Sequence, residues 1–501
     1  MSAGGPLLAA VDVGTTGARA AAIDLSGTLV AEARRPYRTR APQPGWAEQD
    51  AHEWGEHAVA ALAALSARLP HPERVAGIGL TGQCPTVAPI AADGRPVGPG
   101  MLYRDNRAVA EAREMREAVG AEAMHARTGH VAEAFHIGPK VLWLRRHRPD
   151  VYAATRWFLQ PRDVVLRRLT GRVATDETHA DATMFFDLRG RRWAGDLLGR
   201  FDVDPGLWPE ALPSWETAAV LPKSAAAETG LRSGIPVVIG AADSQCVAFG
   251  AGVVDPGPVS EMAGASSCLN SAVIEPLADV RITHYSHVVP DRFTTELGIN
   301  TTGAAIDWAV RRLGYRGHAA LAADAERLRR RMRRSRDDPR DLAPIFLPYL
   351  GDGERDDPGL RGAFVGLSLR HDRAALAYAV LEGIALGVHG ALADLEAAGS
   401  PVDELRVAGG GSRLGVLSQI KADALGRPVV ALRADAAAIG TALLAGGAAG
   451  MGDEVAGAVA SVLAAAGRFE PSAAADGLRL RRDWYATTRA AAAVRGDWGP
   501  G

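Results

Sequence analysis

Three short stretches combine residue types that could do chemistry together. The first, Asp12-Val13-Gly14-Thr15-Thr16-Gly17-Ala18-Arg19, closes an apolar run, LLAAVDV, at 7–13. Glycines at 14 and 17 let backbone amides approach an anion closely, and Thr15 and Thr16 add hydroxyl donors. A carboxylate at a strand end, Asp12, suits a hydrated Mg²⁺. A hairpin turn that happens to contain Gly and Thr is the competing account, and the coincidence of one Asp, two Gly and two Thr weakens it. The second stretch, Gly240-Ala241-Ala242-Asp243-Ser244-Gln245, puts Asp243 after a strand and a small-residue turn, where a helix would begin. There it could be an N-cap, or a general base taking a proton from a sugar hydroxyl. The third, Leu405-Arg406-Val407-Ala408-Gly409-Gly410-Gly411-Ser412, sets three glycines between a strand signal and a helix signal. Such a turn allows a nucleotide to lie flat against the backbone. A flexible linker rarely sits between two strong element signals. A fourth stretch, Thr301-Thr302-Gly303-Ala304-Ala305-Ile306-Asp307-Trp308, leads small residues into an apolar helix. Close helix packing explains it equally well.

Other templates are missed. No Lys follows a Gly, which rules out the phosphate loop G-x4-G-K-[ST]. Gly250-Ala251-Gly252 continues as Val253-Val254-Asp255 and misses the last glycine of the dinucleotide fingerprint, disfavouring a dehydrogenase. His52 and His57 are spaced five apart rather than four, so a zinc-protease helix does not form from them.

The elements needed to hold these stretches are legible. Apolar strands at 7–13 and 18–24, a turn from Asp24 to Gly27 and a strand through TLVAEARR open the chain in antiparallel fashion. A helix is expected at about 51–68, a strand at 75–81, a strand at 237–240 and a helix from about 243 to 251. GPVSEMAGASS at 257–267 repeats the opening theme of a strand meeting a small, hydroxyl-bearing turn, which implies two related halves joined near residue 247. Residues 405–426 read as strand, glycine turn and helix. The charge run at 324–340 reads as a solvated helix face, and the tail after about 491 as frayed.

Composition bounds the class. The 501 residues are 47% hydrophobic and 23% charged with a net charge of −2, which points to two globular domains and to no basic field for nucleic acid. Lys140, Lys223 and Lys421 are the only lysines. Cys84, Cys246 and Cys268 form no paired motif and suit a reducing cytosol, so a cytoplasmic protein is expected. No basic segment precedes the first apolar run, so no signal peptide is read there, and no apolar stretch of about 18 residues is read as crossing a membrane.

Taken in order, the motifs resemble the FGGY carbohydrate kinase family, and the resemblance covers nearly the whole chain. It rests on DVGTTGAR (12–19), GWAEQD (45–50), GLTGQ (79–83), LTGRVATD (169–176), GIPVVIGAADSQ (234–245), GVVDPGPV (252–259) and TTGAAIDW (301–308). It continues through LPYLGDGERDD (347–357), GLSLRH (366–371), LEGIALG (381–387), GGGSRLGVLSQIKADALGRPV (409–429) and AAIGTALLAG (437–446). The resemblance implies an actin-like ATPase fold: two ribonuclease-H-like α/β domains with an interdomain cleft. It assigns 1–246 to an N-terminal domain with the sugar site and first phosphate loop, 247–490 to a C-terminal domain with the second phosphate loop and adenosine site, and 491–501 to a tail.

The implied activity is transfer of the γ-phosphoryl group of ATP to a hydroxyl of a ketose or polyol, xylulose being one member of that class. Asp243 falls at the family's catalytic base and Asp12 supports Mg²⁺. Thr15, Thr16 and Arg19 belong to the first nucleotide loop, and Ala265 and Ser266 to the second, where the family usually has Thr in place of Ala265. Gly303, Asp307, Gly410 and Gly411 match the adenine-nucleotide side. Gln83, Cys84, Asp105 and Arg107, with Asp243, are the candidates for the sugar pocket. Xylulose kinases typically carry Gln-Met-His where this chain has Gln83-Cys84-Pro85, and Trp where it has Tyr103. A xylulose assignment therefore does not follow. The implied partner is a small sugar or polyol, with neither nucleic acid nor membrane, and a homodimer is admissible. The competing class is a non-catalytic actin-like ATP-binding sensor or assembly module.

Overall fold

The computed structural model describes residues 4–332, 339–351, 354, 357, 359–473 and 475–494. It divides into two compact units, neither continuous in sequence. The first takes the chain up to Val254 with Val273–Thr295 and Ala434–Val462; the second takes Asp255–Ala272, Glu296–Arg433 and the chain from Leu463 on. The consecutive halves expected from the sequence are thus interleaved.

In the first unit, β1 (Leu7–Val13), β2 (Gly17–Asp24) and β3 (Leu29–Pro36) form the expected antiparallel opening. β4 (Val75–Gly82), β5 (Thr217–Val220) and β6 (Pro236–Ala242) complete a sheet of order β5-β6-β4-β1-β2-β3. β6, β4 and β1 run parallel, and their near-continuous apolar sequences are those of strands covered on both faces. Alternation along β1 sends Leu7, Ala9, Val11 and Val13 into a core with Trp54, Leu62 and Leu65 of α1 (Ala51–Ser66) and with Val165 and Leu166 of α2 (Pro161–Thr170). The other face meets the late helix Ala436–Ala448, whose Gly446 lies against Leu8 and whose Thr441 carbonyl abuts Gly79. That contact draws residues 434–462 into the first unit. A separate cluster around Met115, Phe158, Phe185 and Trp208 supports the chain between β4 and β5.

The second unit repeats the plan. β7 (Gly257–Ala263), β8 (Ser267–Val273), β9 (Phe293–Ile299), β10 (Val402–Gly409), β11 (Val429–Ala431) and β12 (Gly467–Phe469) lie in the order β9-β8-β7-β10-β11-β12. Here β7 and β8 are antiparallel, β7, β10 and β11 parallel, and β12 returns antiparallel, as β1, β2, β4, β6 and β5 do in the first unit. The echo between 12–17 and 257–267 therefore reflects a shared ribonuclease-H-like topology.

Two expectations change. The helix His318–Met332 is not simply a solvated face: Asp324 and Arg329 are buried on it, and Arg329 reaches Asp423 at 3.3 Å. Residues 333–338 of that charge run, four residues of LPYLGDGERDD (352, 353, 355 and 356) and the tail from 495 lie outside the described residues. The helix Arg373–Ala397 is, among the described residues, the one long and apolar enough to cross a membrane. It is a core helix of the second unit: its most apolar window is 72% buried, and its Glu382 pairs with Arg481 in the interior.

The helix that begins at Asp243, Asp243–Gly250, crosses Ala436–Ala448 through glycines. A Cβ on Gly440 would stand 1.9 Å from the Cys246 carbonyl oxygen and 2.9 Å from the Gly250 amide. Gly440→Ala is expected to destabilise the protein by about 1–3 kcal/mol through overpacking, read as a lowered midpoint in urea unfolding; an unchanged midpoint would show that the helices can separate without cost.

Candidate active site

The parallel strands of the first unit end together. Asp12 on β1 is in register with Thr81 on β4, and Gly82 on β4 with Ala242 on β6. Asp12, Gln83 and Asp243 thus stand at the carboxyl ends of three neighbouring strands, where open α/β sheets bind ligands.

The loop after Asp12 is held by its carbonyls. Tyr37 Oη donates to the Gly14 carbonyl at 2.5 Å, Gln49 Nε2 to that of Thr15 at 2.7 Å, and the Tyr37 amide to that of Thr16 at 3.3 Å. A trans peptide points its N–H opposite to its C=O. Anchoring these three carbonyls therefore turns the amides of Thr15, Thr16 and Gly17 the other way, a concave donor set for an anion. Gly17 is required: a Cβ there would lie 2.5 Å from the Arg35 carbonyl oxygen.

Asp12 itself is a poorly solvated carboxylate. Its Oδ1 is buried and, among the described residues, has no hydrogen-bond partner. Burial, and then the nearby Asp435, push its pKa up from 3.8 to about 6, against the opposing pull of Arg19 and Arg34. An orphaned carboxylate oxygen beside an amide-lined loop fits a Mg²⁺ that keeps several waters and takes one protein carboxylate. Arg19 is anchored rather than free to swing, with Nε on Glu32 at 2.8 Å and Nη1 on Asp435.

Asp243 is the first residue of its helix. Its Oδ1 accepts the adjacent Ser244 amide at 2.8 Å, but the N-cap position belongs to Ala242 and no side chain caps the helix, so the capping role open to Asp243 in the sequence is not taken while its strand-end position holds. Gln83 Nε2 donates to Gln49 Oε1 at 2.9 Å and lies 3.4 Å from the Gly14 carbonyl. Cys84, half-buried and joined to Pro85 by a cis peptide, has Sγ 3.7 Å from Gln160 Oε1. Asp105 and Arg107 pair with each other. Both Asp105 oxygens accept from the Arg107 guanidinium, Oδ2 also takes the Ala47 amide, and the guanidinium stacks 3.6 Å above Trp46. With side chains 0% and 3% exposed, this pair's bonds run inward.

The second unit uses the same carbonyl device. Gly264, Ala265 and Ser266 form the exposed turn between β7 and β8. The Gly264 carbonyl accepts the Gly303 amide at 3.1 Å, and that of Ala265 accepts the amides of Thr302 at 3.0 Å and Ala304 at 2.9 Å. The amides of Ala265 and Ser266 consequently face away from the helix Gly303–Arg312 that braces the turn. Gly303 permits this contact, since a Cβ would stand 2.2 Å from the Gly264 oxygen. Ala263 pairs with Gly409 across β7 and β10, which brings Gly410 and Gly411 beside the same turn. Backbone rather than side chain forms this loop, so Ala265 in place of Thr removes a hydroxyl but no amide. Beneath it, buried Glu261 takes Ser267 Oγ at 2.7 Å and pairs with Lys421. Asp307 lies one turn along the helix and meets His318 Nε2 at 2.6 Å.

The FGGY carbohydrate kinase N-terminal domain matches residues 7–250 and its C-terminal domain residues 260–449. The chain belongs to the FGGY family of carbohydrate kinases. Members are phosphotransferases that use ATP and an alcohol acceptor. The chain is 26% identical over 451 residues to the xylulose kinase of Bacillus subtilis and 32% identical over 467 residues to the glycerol kinase of Bordetella parapertussis, in each case over 87% of both chains. The crystal structure of xylulose kinase from Rhodospirillum rubrum superposes with a TM-score of 0.87 at 32% identity, over 97% of this chain and 99% of that one.

Two residues that sequence reasoning passed over hold the loop after Asp12: Tyr37 and Gln49. Gln49 also takes the Trp54 indole N–H and Gln83 on its Oε1. Its place in GWAEQD was the available signal. A third is Lys140, fully buried, whose Nζ donates to the carbonyls of Leu102 and Phe135, each at 2.6 Å, and lies 3.5 Å from that of Pro85. It ties together the segments that carry Cys84 and Tyr103, and burial pushes its ammonium down to about 7.

The raised Asp12 pKa has a stability consequence. The folded protein holds this proton more tightly than the unfolded chain, so metal-free protein loses stability as pH rises from 3.8 to about 6 and no further above that. In EDTA at pH 7, Asp12→Asn is expected to melt at a higher temperature than the wild type, with the gap closing toward pH 4. Equal melting temperatures at pH 7 would mean that the Asp12 charge is not penalised.

Proposed function

We propose that this FGGY kinase phosphorylates a hydroxyl of a small ketose or polyol, with Asp243 as the general base. The observation that carries the reading is the alignment of Asp12, Gln83 and Asp243 at the ends of β1, β4 and β6, next to a loop whose amides suit phosphate. Asp243 accepts the proton of the attacking hydroxyl and orients its oxygen for in-line displacement at the γ-phosphorus. The amides of Thr15, Thr16 and Gly17, and those of Ala265 and Ser266, take charge on phosphate oxygens. Gly303, Gly410 and Gly411, flanked by Asp307, offer close backbone approach to the adenosine. Asp12 holds Mg²⁺, which when bound neutralises phosphate charge. Because the transition state of phosphoryl transfer is loose, positioning and charge neutralisation carry most of the catalysis. Arg19 contributes by fixing the strand beside Asp12.

Gln83, Cys84, Asp105 and Arg107 belong to the acceptor side, where the inward-turned Asp105–Arg107 pair acts by holding the Trp46 segment and the turn that carries half-exposed Tyr103. The three cysteines form no disulfide among the described residues, which suits a reducing cytoplasm. Relatives named for xylulose and for glycerol match over similar lengths, and Cys84, Pro85 and Tyr103 depart from the xylulose kinase pattern. Both facts favour an acceptor range that is not centred on D-xylulose.

Two measurements test this. ADP release over a panel of D-xylulose, D-ribulose, glycerol, ribitol and myo-inositol should require Mg²⁺ and show no strong preference for D-xylulose; a preference by orders of magnitude in kcat/KM would refute the acceptor reading. Asp243→Asn keeps the size and an oxygen for the Ser244 amide but loses the proton acceptor, so kcat should fall by roughly 10²–10⁴, with melting temperature and KM for ATP little changed. Turnover within about threefold of wild type, far less than a base contributes, would remove Asp243 from the mechanism.

A further inference from the structure

The strand that delivers Asp243 is irregular just before it. The pairing of β6 with β4 shifts register between Val238 and Ala241, and Gly240 adopts a left-handed φ of 72°. A bulge of this kind re-aims the residues after it and takes backbone groups out of the ladder. Side chains meet those groups one by one. Arg162 donates to the Ile239 carbonyl, Thr81 Oγ1 to the Ala241 carbonyl at 2.8 Å, and the Ala242 amide donates to Thr178 Oγ1 at 2.8 Å.

Two of these clamps converge on one carboxylate. Asp176, the last residue of LTGRVATD, is fully buried. Its Oδ2 accepts Thr178 Oγ1 at 2.6 Å, the Thr178 amide at 2.8 Å and Ser214 Oγ at 3.0 Å. Its Oδ1 accepts Arg162 Nη2 at 2.6 Å and lies 2.7 Å from His179 Nδ1, which Arg162 Nε also meets at 3.1 Å. Burial alone would raise the carboxyl's pKa, but Arg162 and His179 hold it well below the usual carboxylate range, so it stays an acceptor. With its proton committed to Asp176, the Thr178 hydroxyl can only accept from Ala242. A valine of the same shape could not.

We propose that Thr178, oriented by Asp176, is a positioning residue for phosphoryl transfer: it fixes the Ala242 amide and with it the direction in which the next residue, Asp243, presents its carboxylate. The inference rests on Asp243 being the base. Thr178 touches neither substrate nor nucleotide in this role.

The test uses the full-length enzyme, saturating Mg-ATP and whichever of the five acceptors is turned over fastest. Thr178→Val should lower kcat about 10- to 100-fold, the scale of a displaced catalytic group, with KM for ATP unchanged. It should also move the acid limb of the kcat/KM pH profile. Thr178→Ser, which keeps the oxygen, should restore both rate and profile. In the Thr178→Val background, Asp243→Asn should cost much less than it does alone, since residues that act as a unit are non-additive. If the valine variant does not fold, Thr178→Ala removes the same hydroxyl and decides the question. A valine or alanine variant with wild-type kcat and pH profile, or a serine variant as slow as the valine, overturns the proposal. A costly Asp243→Asn beside a silent Thr178→Val overturns the positioning role alone, whereas a silent Asp243→Asn overturns the base assignment on which it stands.

Discussion

Where a parallel strand ends, its last peptide groups lose ladder partners and must find others, because a buried unpaired N–H or C=O is costly. Both units are organised around that constraint. In the first, Tyr37 and Gln49 take the carbonyls beyond β1, and Thr81, Arg162 and Thr178 take the groups at the end of β6. In the second, the start of the helix Gly303–Arg312 supplies amides to the turn beyond β7. Satisfying the inner half of each peptide fixes the direction of its outer half, so the same bonds that close the sheet ends also turn the neighbouring amides outward.

The buried ionic groups serve this arrangement. Asp176 with Arg162, Glu261 with Lys421, and Asp105 with Arg107 all lie behind a functional loop rather than in it. Replacing such a pair by apolar residues is often neutral for stability. What each pair supplies here is a set of directed hydrogen bonds to backbone or hydroxyl groups at one position. Asp12 is the contrast: a carboxylate with one buried oxygen that has no partner among the described residues, and a raised pKa.

The glycines divide by purpose. Gly17 and Gly303 let a loop close against a carbonyl, while Gly250 and Gly440 let two helices cross at backbone contact. The second pair links the helix beginning at Asp243 to a segment from the far end of the chain. The position of Asp243 therefore depends on glycines remote from it in the chain.

Much of this was legible in the sequence, because local rules wrote it. Continuous apolar runs marked β1, β4 and β6; hydroxyl and glycine residues marked the turns beyond β1 and β7; Asp12 and Asp243 were readable as carboxylates at strand ends; and the repeat of the opening theme at 257–267 announced a second unit of the same plan. Tertiary structure alone decided the rest. Residues 434–462 join the first unit because small residues on Ala436–Ala448 fit against β1 and β4, a match between distant segments with no local signature. The charge run on His318–Met332 proved half-buried because Arg329 found Asp423. Asp105 and Arg107 were readable as polar candidates, but that they bond each other, the Ala47 amide and Glu48 depends on where the segment 46–48 comes to lie. Tyr37, Gln49 and Thr178 are ordinary residues in a linear reading; only folding brings their donors and acceptors to the particular backbone groups that the strand ends leave over.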